Sequence, residues 1–290
     1  MSEIGQLFVA MTTRDSDDSG TDSSITLIGN VNGLDRLQYT FPDSSQDDQD
    51  RGRANLYNVG ISIDLDSKDL PSSYFRVGTR GEDAWRPENC FIWGTKNDFS
   101  GIVPIGMRLD LTTQSVVRLV KGVAQSNAEI TQVVLSTDNN EGDLCFPLLP
   151  LSPGDQGMLI RRLLVLLTTA DQDDAGTDNG ITINILNTIY QLDDIQQPHS
   201  PESGQANWYL IPVTKPFVKN MMDIQKGIAM SISDDDAWLP QSVFIFGLDT
   251  DAGMPAQIVT LVHIPNWTMG ALSTDSSEGS DTVILPITLP

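Results

Sequence analysis

Short apolar runs separated by clusters of Gly, Pro, Asn and Asp recur along the whole chain. In the first half they are LFVAM from Leu7, SITLIG from Ser24, NVGISIDL from Asn58, NCFIWG from Asn89 and IGMRLDL from Ile105. The second half has RLLVLLTT from Arg162, GITINILN from Gly180, GIAMSI from Gly227, SVFIFG from Ser242 and IVTLVHI from Ile258. Several alternate apolar with polar positions and most are bounded by turn residues, which predicts antiparallel strands with one solvated face. Lys215–Lys226 (KPFVKNMMDIQK) is the one candidate for a short helix. The expected fold class is all-β.

The runs come in two sets. TTRDSDDSGTDSSITL (Thr12–Leu27) returns as TTADQDDAGTDNGITI (Thr168–Ile183), GRANLY (from Gly52) as GQANWY (from Gly204), and EDAWRPENCFIWG (from Glu82) as DDAWLPQSVFIFG (from Asp235). A closing motif follows in each set, LSTDNNEGDLCFPLLPL from Leu135 and LSTDSSEGSDTVILPITLP from Leu272. A repeat this long predicts domain duplication rather than a solenoid. Turn residues cluster at Ser152-Pro153-Gly154-Asp155, so the expected domains are residues 1–152 and 153–290, two tandem antiparallel β-sandwiches.

The 290 residues are ample for two cores without staples, and the formal charge of −22 disfavours a nucleic-acid partner, whose phosphates need a basic surface. Of the acids, 32 are Asp and 7 are Glu, a bias toward turns and hard-cation ligands and away from helices. Cys90, Cys145, His199 and His263 lie far apart with no spacing for zinc, haem or an iron–sulfur cluster. Cys90 reads as a small buried residue, His199 as a surface loop residue and His263 as a packed or edge histidine on a strand. The opening segment has an acid where a signal peptide needs bases, and the apolar stretch around Leu159–Leu167 is broken by Arg161 and Arg162, so no targeting or membrane-spanning segment is expected.

Candidate chemistry concentrates in two loops per copy. Asp15, Asp17, Asp18 and Asp22 surround Gly20-Thr21, and Asp171, Asp173, Asp174 and Asp178 surround Gly176-Thr177. Four carboxylates in eight residues repel one another unless a cation gathers them, and calcium takes six to eight oxygens from carboxylates, carbonyls and water. The spacing opens like an EF-hand but fails at its twelfth position, where Thr26 and Thr182 stand instead of Glu, and helices do not flank it. A solvated Asp-rich turn is the plainer alternative. The second loop, Glu82-Asp83-Ala84-Trp85-Arg86-Pro87 and Asp235-Asp236-Ala237-Trp238-Leu239-Pro240, adds acids just before a strand and completes the cation site if both loops share one sandwich end. Trp85 and Trp238 are expected to pack over that end rather than stand free as anchors.

Together these residues resemble the PLAT/LH2 family, the lipoxygenase-type β-sandwich also found at the C-terminus of clostridial phospholipase C toxins. The likeness rests on the strand, Gly20-Thr21-Asp22 loop and strand, and on Ser233-Asp234-Asp235-Asp236-Ala237-Trp238-Leu239-Pro240; it covers roughly Leu7–Gly94 and Leu163–Gly247. It implies an eight-stranded sandwich with calcium at the Gly-Thr-Asp and Asp-Asp loops, and nearby aromatics docking on lipid or protein. The implied ligands are Asp15, Asp17, Gly20, Thr21, Asp22 and Asp83 in the first copy, and Asp171, Asp173, Gly176, Thr177, Asp178, Asp234 and Asp236 in the second. Middle-loop ligands are open, with Asp47-Asp48 and Asp193-Asp194 as candidates. The closing LSTD stretch departs from the family pattern.

No GxSxG, HExxH, P-loop or GxGxxG stands in a suitable context, and two sandwiches use nearly all of the chain, so a non-catalytic protein is expected. Two classes follow. One is a calcium-binding recognition or adhesion module for a protein or a calcium-dependent membrane surface, with avidity from two linked sites. The other is a self-assembling structural subunit in which calcium rigidifies loops.

Overall fold

The computed structural model describes residues 3–42, 51–111, 118–120, 123–125, 133–138, 142–192, 201–222 and 227–288. Asp47, Asp48, Asp193, Asp194 and His199 lie outside the described residues. The chain divides into two compact units, Met1–Leu151 and Ser152–Pro290.

The first unit contains β1 (Glu3–Thr13), β2 (Ile25–Val31), β3 (Leu34–Thr40), β4 (Ala54–Asp66), β5 (Tyr74–Thr79), β6 (Pro87–Thr95), β7 (Val103–Arg108), β8 (Arg118–Val120), β9 (Val123–Gln125), β10 (Cys145–Pro147) and β11 (Leu149–Pro150). One sheet runs β4-β1-β6-β7-β11 and the other β3-β2-β5-β10, while β8 and β9 form a separate hairpin. The second unit contains β12 (Ser152–Pro153), β13 (Leu159–Thr169), β14 (Ile181–Ile185), β15 (Thr188–Leu192), β16 (Ala206–Val218), β17 (Ile228–Ile232), β18 (Pro240–Leu248), β19 (Gln257–Ile264) and β20 (Thr282–Leu285). Its sheets run β16-β13-β18-β19-β12 and β15-β14-β17-β20. Strand for strand the main order is the same in both units. All of these pairs are antiparallel except β12 with β19. Each unit is an antiparallel β-sandwich.

The two sheets of a unit share one core. In the first unit Leu7, Val9 and Met11 of β1 meet Leu27, Phe75, Val77 and Phe146 of the facing sheet. In the second, Leu163, Val165 and Leu167 of β13 meet Ile183, Met230 and Leu285. The smaller sheet of the second unit alternates as expected, with inward Ile183 and Met230 between outward Thr182, Asn184, Ala229 and Ser231. The larger sheets depart from one solvated face. Arg162–Thr169 of β13 is buried throughout, and Phe8, Phe91 and Trp93 stack on the side away from the shared core, with centroids 5.1 and 4.9 Å apart. Continuous runs such as LLVLL, rather than alternating ones, carry this burial on both faces.

Lys215–Val218 continues β16 rather than opening a helix, and a 3-10 turn follows at Lys219–Met221; residues 223–226 of the candidate lie outside the described residues. Lys219 is buried there, its Nζ donating to the carbonyls of Thr260 (2.7 Å) and Thr288 (2.6 Å). Pairing of Phe217 and Val218 with Ile160 and Leu159 of β13 holds the segment extended, overriding the local helical pattern, and the Lys219 ammonium ties its end to β19.

Both units carry a β-bulge at the same place. Thr12 faces Asn89 but Thr13 faces Pro87, leaving Glu88 as the extra residue of β6. Thr168 faces Ser242 and Thr169 faces Pro240, leaving Gln241 extra in β18. Thr12 and Thr13, like Thr168 and Thr169, are buried in succession, as are the residues before them, because both faces of β1 and β13 are covered.

Candidate functional site at the acidic sandwich end

The tryptophans close the end of each core. Trp85 and Trp238 are both 0% exposed, and their indole N–H groups donate to Thr13 Oγ1 (2.9 Å) and Thr169 Oγ1 (3.0 Å). Thr13 follows Leu7, Val9 and Met11 on the core-facing side of β1, and Thr169 follows Leu163, Val165 and Leu167 on that of β13. Packing is thus the observed role, and the aromatic docking implied by the family likeness does not apply to these two rings.

Above each ring, the acidic loop is tied to the loop before the Trp by the same set of bonds. Thr21 Oγ1 donates to the carbonyl of Asp83 (3.0 Å), and the Asp22 N–H donates to Asp83 Oδ2 (2.7 Å). Thr177 Oγ1 reaches the carbonyl of Asp236 (3.3 Å), and the Asp178 N–H reaches Asp236 Oδ2 (3.2 Å). The main-chain N–H of Arg86 bonds the Ser19 carbonyl and that of Leu239 the Ala175 carbonyl, each at 3.0 Å. The sequence does bring the two loops to one sandwich end, but the Asp83 and Asp236 carboxylates accept main-chain N–H groups there.

The closing motif supplies the third side. Leu135 and Trp85 exchange both main-chain bonds, at 2.8 and 2.9 Å, as do Leu272 and Trp238 at 2.8 Å. Ser136 Oγ and Ser273 Oγ, both buried, donate at 2.7 Å to the carbonyls of Glu82 and Asp235. The Thr137 and Thr274 N–H groups bond the carbonyls of Gly81 and Asp234. A Cβ at Gly142 would lie 2.5 Å from the Val134 carbonyl oxygen, and one at Gly279 would lie 2.4 Å from that of Ala271, so both turns need glycine. Sequence reading found this motif without its purpose; its signal was the recurrence of Ser and Gly at fixed places.

The remaining carboxylates face outward. Asp15, Asp17, Asp18, Asp22 and Asp83 are exposed, as are Asp171, Asp173, Asp174, Asp178, Asp234 and Asp236. Asp18 (φ 55°) and Asp174 (φ 59°) take the left-handed turn, a conformation Asp tolerates through its short polar side chain. Gly176 stands where the Pro201 carbonyl oxygen crosses the loop, 2.8 Å from where a Cβ would be, so close backbone approach explains that glycine.

The units differ in what neutralises the acids. Arg51 bridges Asp15 (Nε–Oδ1, 2.7 Å) and Asp17 (Nη1–Oδ1, 2.5 Å), and Arg86 Nη1 donates to the Asp17 carbonyl (2.7 Å). The hydrogen bond to Asp15 raises the guanidinium pKa further. Gly20, Arg51, Asp83 and Arg86 line an open groove of about 670 Å³. In the second unit the places of Arg51 and Arg86 are taken by Ser203 and Leu239. Ser203 Oγ instead accepts the Gln172 N–H (3.1 Å) and donates to its carbonyl (2.7 Å). Among the described residues, no three His, Cys, Asp or Glu side chains gather so as to hold a metal ion. The first loop does not fit a calcium cage, because a guanidinium bridges two of its expected ligands.

Outside this end, His263 packs edge-on to Phe244 with centroids 4.9 Å apart, and burial pushes its pKa down to about 4. Burial also raises the pKa of the Glu88 carboxyl, with Asp110 adding to the effect. Cys90 is buried, and its thiol pKa is raised by the same cause.

No protein-family model matches the chain, and no curated protein matches it. Among solved structures it is similar to the paired C2 domains of Extended-Synaptotagmin 2, at 9% identity over 99% of this chain and 93% of that chain, with a TM-score of 0.14. A TM-score that low carries no argument about fold or function.

Proposed function

We propose that this chain is a non-catalytic tandem recognition protein, built by duplication of one PLAT-like sandwich, whose acidic loop ends contact a protein partner. The observation behind this reading is the shared lock: Thr21 and Asp22 on Asp83, and Thr177 and Asp178 on Asp236, hold the loops in one shape. Rigid loops presenting outward carboxylates give a preformed charged contact at little ordering cost. A protein is favoured over a membrane for two reasons. The formal charge of −22 is repelled by anionic headgroups, and both tryptophans that stand beside the loops are buried.

Calcium enters this proposal at the second unit only, where Ser203 stands in the place of Arg51 beside the implied ligands Asp171 and Asp173. A thermal melt in calcium against EGTA tests it. The second unit's transition is expected to rise in calcium, by mass action on the folded state, and the rise to vanish in Asp178→Ala. Equal shifts of both units, or none, overturn the assignment. Cosedimentation with phosphatidylserine vesicles in calcium is expected to leave the protein in solution; a pellet favours a membrane instead.

A further inference from the structure

Among the described residues, the outward positions of the strands β15, β14, β17 and β20 hold no charged side chain. One cross-strand row reads Ile189, Asn184, Ala229, Ile284, and the adjoining row from Gln191 to Thr282 holds only amide and hydroxyl groups. Within that row Ser231 and Thr282 bond each other at 2.9 Å, so they ask little of any partner. Ile189 is 66% and Ile284 52% exposed.

A second observation lies at the tip of the same sheet's first hairpin. Leu186 is 42% exposed and has φ 51°, followed by Asn187 at φ 61°. The equivalent turn of the first unit uses Asn32-Gly33, residues that take this left-handed pair readily. Leucine there is strained and exposed at once. Such an outlier points to a position held for contact rather than for the fold.

We infer that this face is a self-association surface on which a second copy of the chain docks, sheet against sheet. The row Ile–Asn–Ala–Ile reads nearly the same from either end. A twofold axis running along the strands between β14 and β17 therefore sets Ile189 over the partner's Ile284, and Asn184 over the partner's Ala229, in an isologous contact. Charge selects this occupant. At −22, two copies repel wherever acids meet, and this sheet face lets them approach without burying any. A basic partner finds nothing on it to pair with. Four strands about 4.8 Å apart, three of five residues and β20 of four, span roughly 19 by 16 Å, well under the about 800 Å² per partner of a standard interface, so the dimer is weak and forms at high concentration.

Sedimentation equilibrium of the full chain over rising concentration, at low and high salt, tests the inference. Dimer formation is expected, strengthening several-fold with salt because screening relieves like-charge repulsion. The double variant Ile189→Lys/Ile284→Lys, on exposed strand positions, is expected to keep its melting temperature and stay monomeric. Mixing Ile189→Cys chains with Ile284→Cys chains, both in a Cys145→Ser background, is expected to give a mixed disulfide on oxidation and little of either like pair. A monomer under every condition overturns the inference, as does a dimer indifferent to the lysines, one that weakens with salt, or like-pair crosslinks equal to the mixed one.

Discussion

The two sandwich ends share the ties that join the acidic loop, the Trp loop and the closing motif, and differ in what stands over the acids. In the first unit Arg51 lies across Asp15 and Asp17; in the second, Ser203 turns back to the main chain of Gln172. The outer sheet faces diverge in the same sense. Arg76 pairs with Asp35 at 2.8 Å in the first unit, where the second presents only neutral side chains. Shape is therefore set by the buried Trp, Thr and Ser and by main-chain bonds, and surface charge varies over it freely. Exposed ion pairs contribute little to folding, so a unit can gain or lose one without disturbing the lock beneath. Two contacts of different chemistry can then be carried on one scaffold.

Replacing each tryptophan is the strongest way to break the sameness. Trp85→Ala and Trp238→Ala are each expected to cost about 3–5 kcal/mol, since each empties a core position and strands a threonine hydroxyl. Denaturant unfolding of each variant should lower one transition only, by similar amounts in the two cases. Unequal losses would mean that the ends are not built alike.

Acid sharpens a difference. His263 has a folded pKa of about 4 against an ordinary value of 6.5, so the unfolded chain binds more protons between these values. Stability of the second unit falls as pH drops from 6.5 toward 4, by about 3 kcal/mol once complete. In the first unit a histidine is absent from the sequence, so melts across this range should separate the two, and His263→Gln should remove the slope.

A smaller probe is the bond under each ring. Thr13→Val and Thr169→Val leave a buried indole N–H without its acceptor, at a cost of about 1–3 kcal/mol each, measurable by the same unfolding curves. Leu186→Gly should stabilise the second unit by about 1 kcal/mol, because glycine takes φ 51° without strain; Gly33→Ala at the first unit's turn should do the reverse. Least of all, Arg51→Ser is expected to leave the melting temperature of the first unit unchanged, while removing one of the charges by which the two loop ends differ. A large loss there would show Arg51 to be structural.

Much of this was legible in the chain. The runs from Leu7, Asn89, Arg162 and Ser242 are strands, and the acidic and Trp-Pro loops do converge, because turn residues and apolar periodicity are local properties. Edge strands were harder: β3 is largely exposed, so LDRLQYT carries only a broken apolar signal, with Leu37 its one buried residue. The lock itself was invisible, since carboxylates spaced for a cation look the same as carboxylates spaced to accept N–H groups from a neighbouring loop. Which of the two occurs depends on the position of Asp83 relative to Asp22, a distance between residues far apart in sequence. The run RLLVLLTT is buried on both faces, against the expectation of one solvated face, because the continuous apolar stretch covers both sides of the strand.

The bulge opposite Thr12-Thr13 and Thr168-Thr169 acts as a phase shift in a two-beat code. Strands alternate inside and outside, and one extra beat at Glu88 or Gln241 inverts the parity of everything on one side relative to the other. The apolar runs and the Trp-Pro loops are written in opposite phase and are made compatible only at that residue. Removing Glu88 or Gln241 would therefore shorten the chain by one residue and yet exchange inside for outside along the strand, a frameshift in space rather than in sequence.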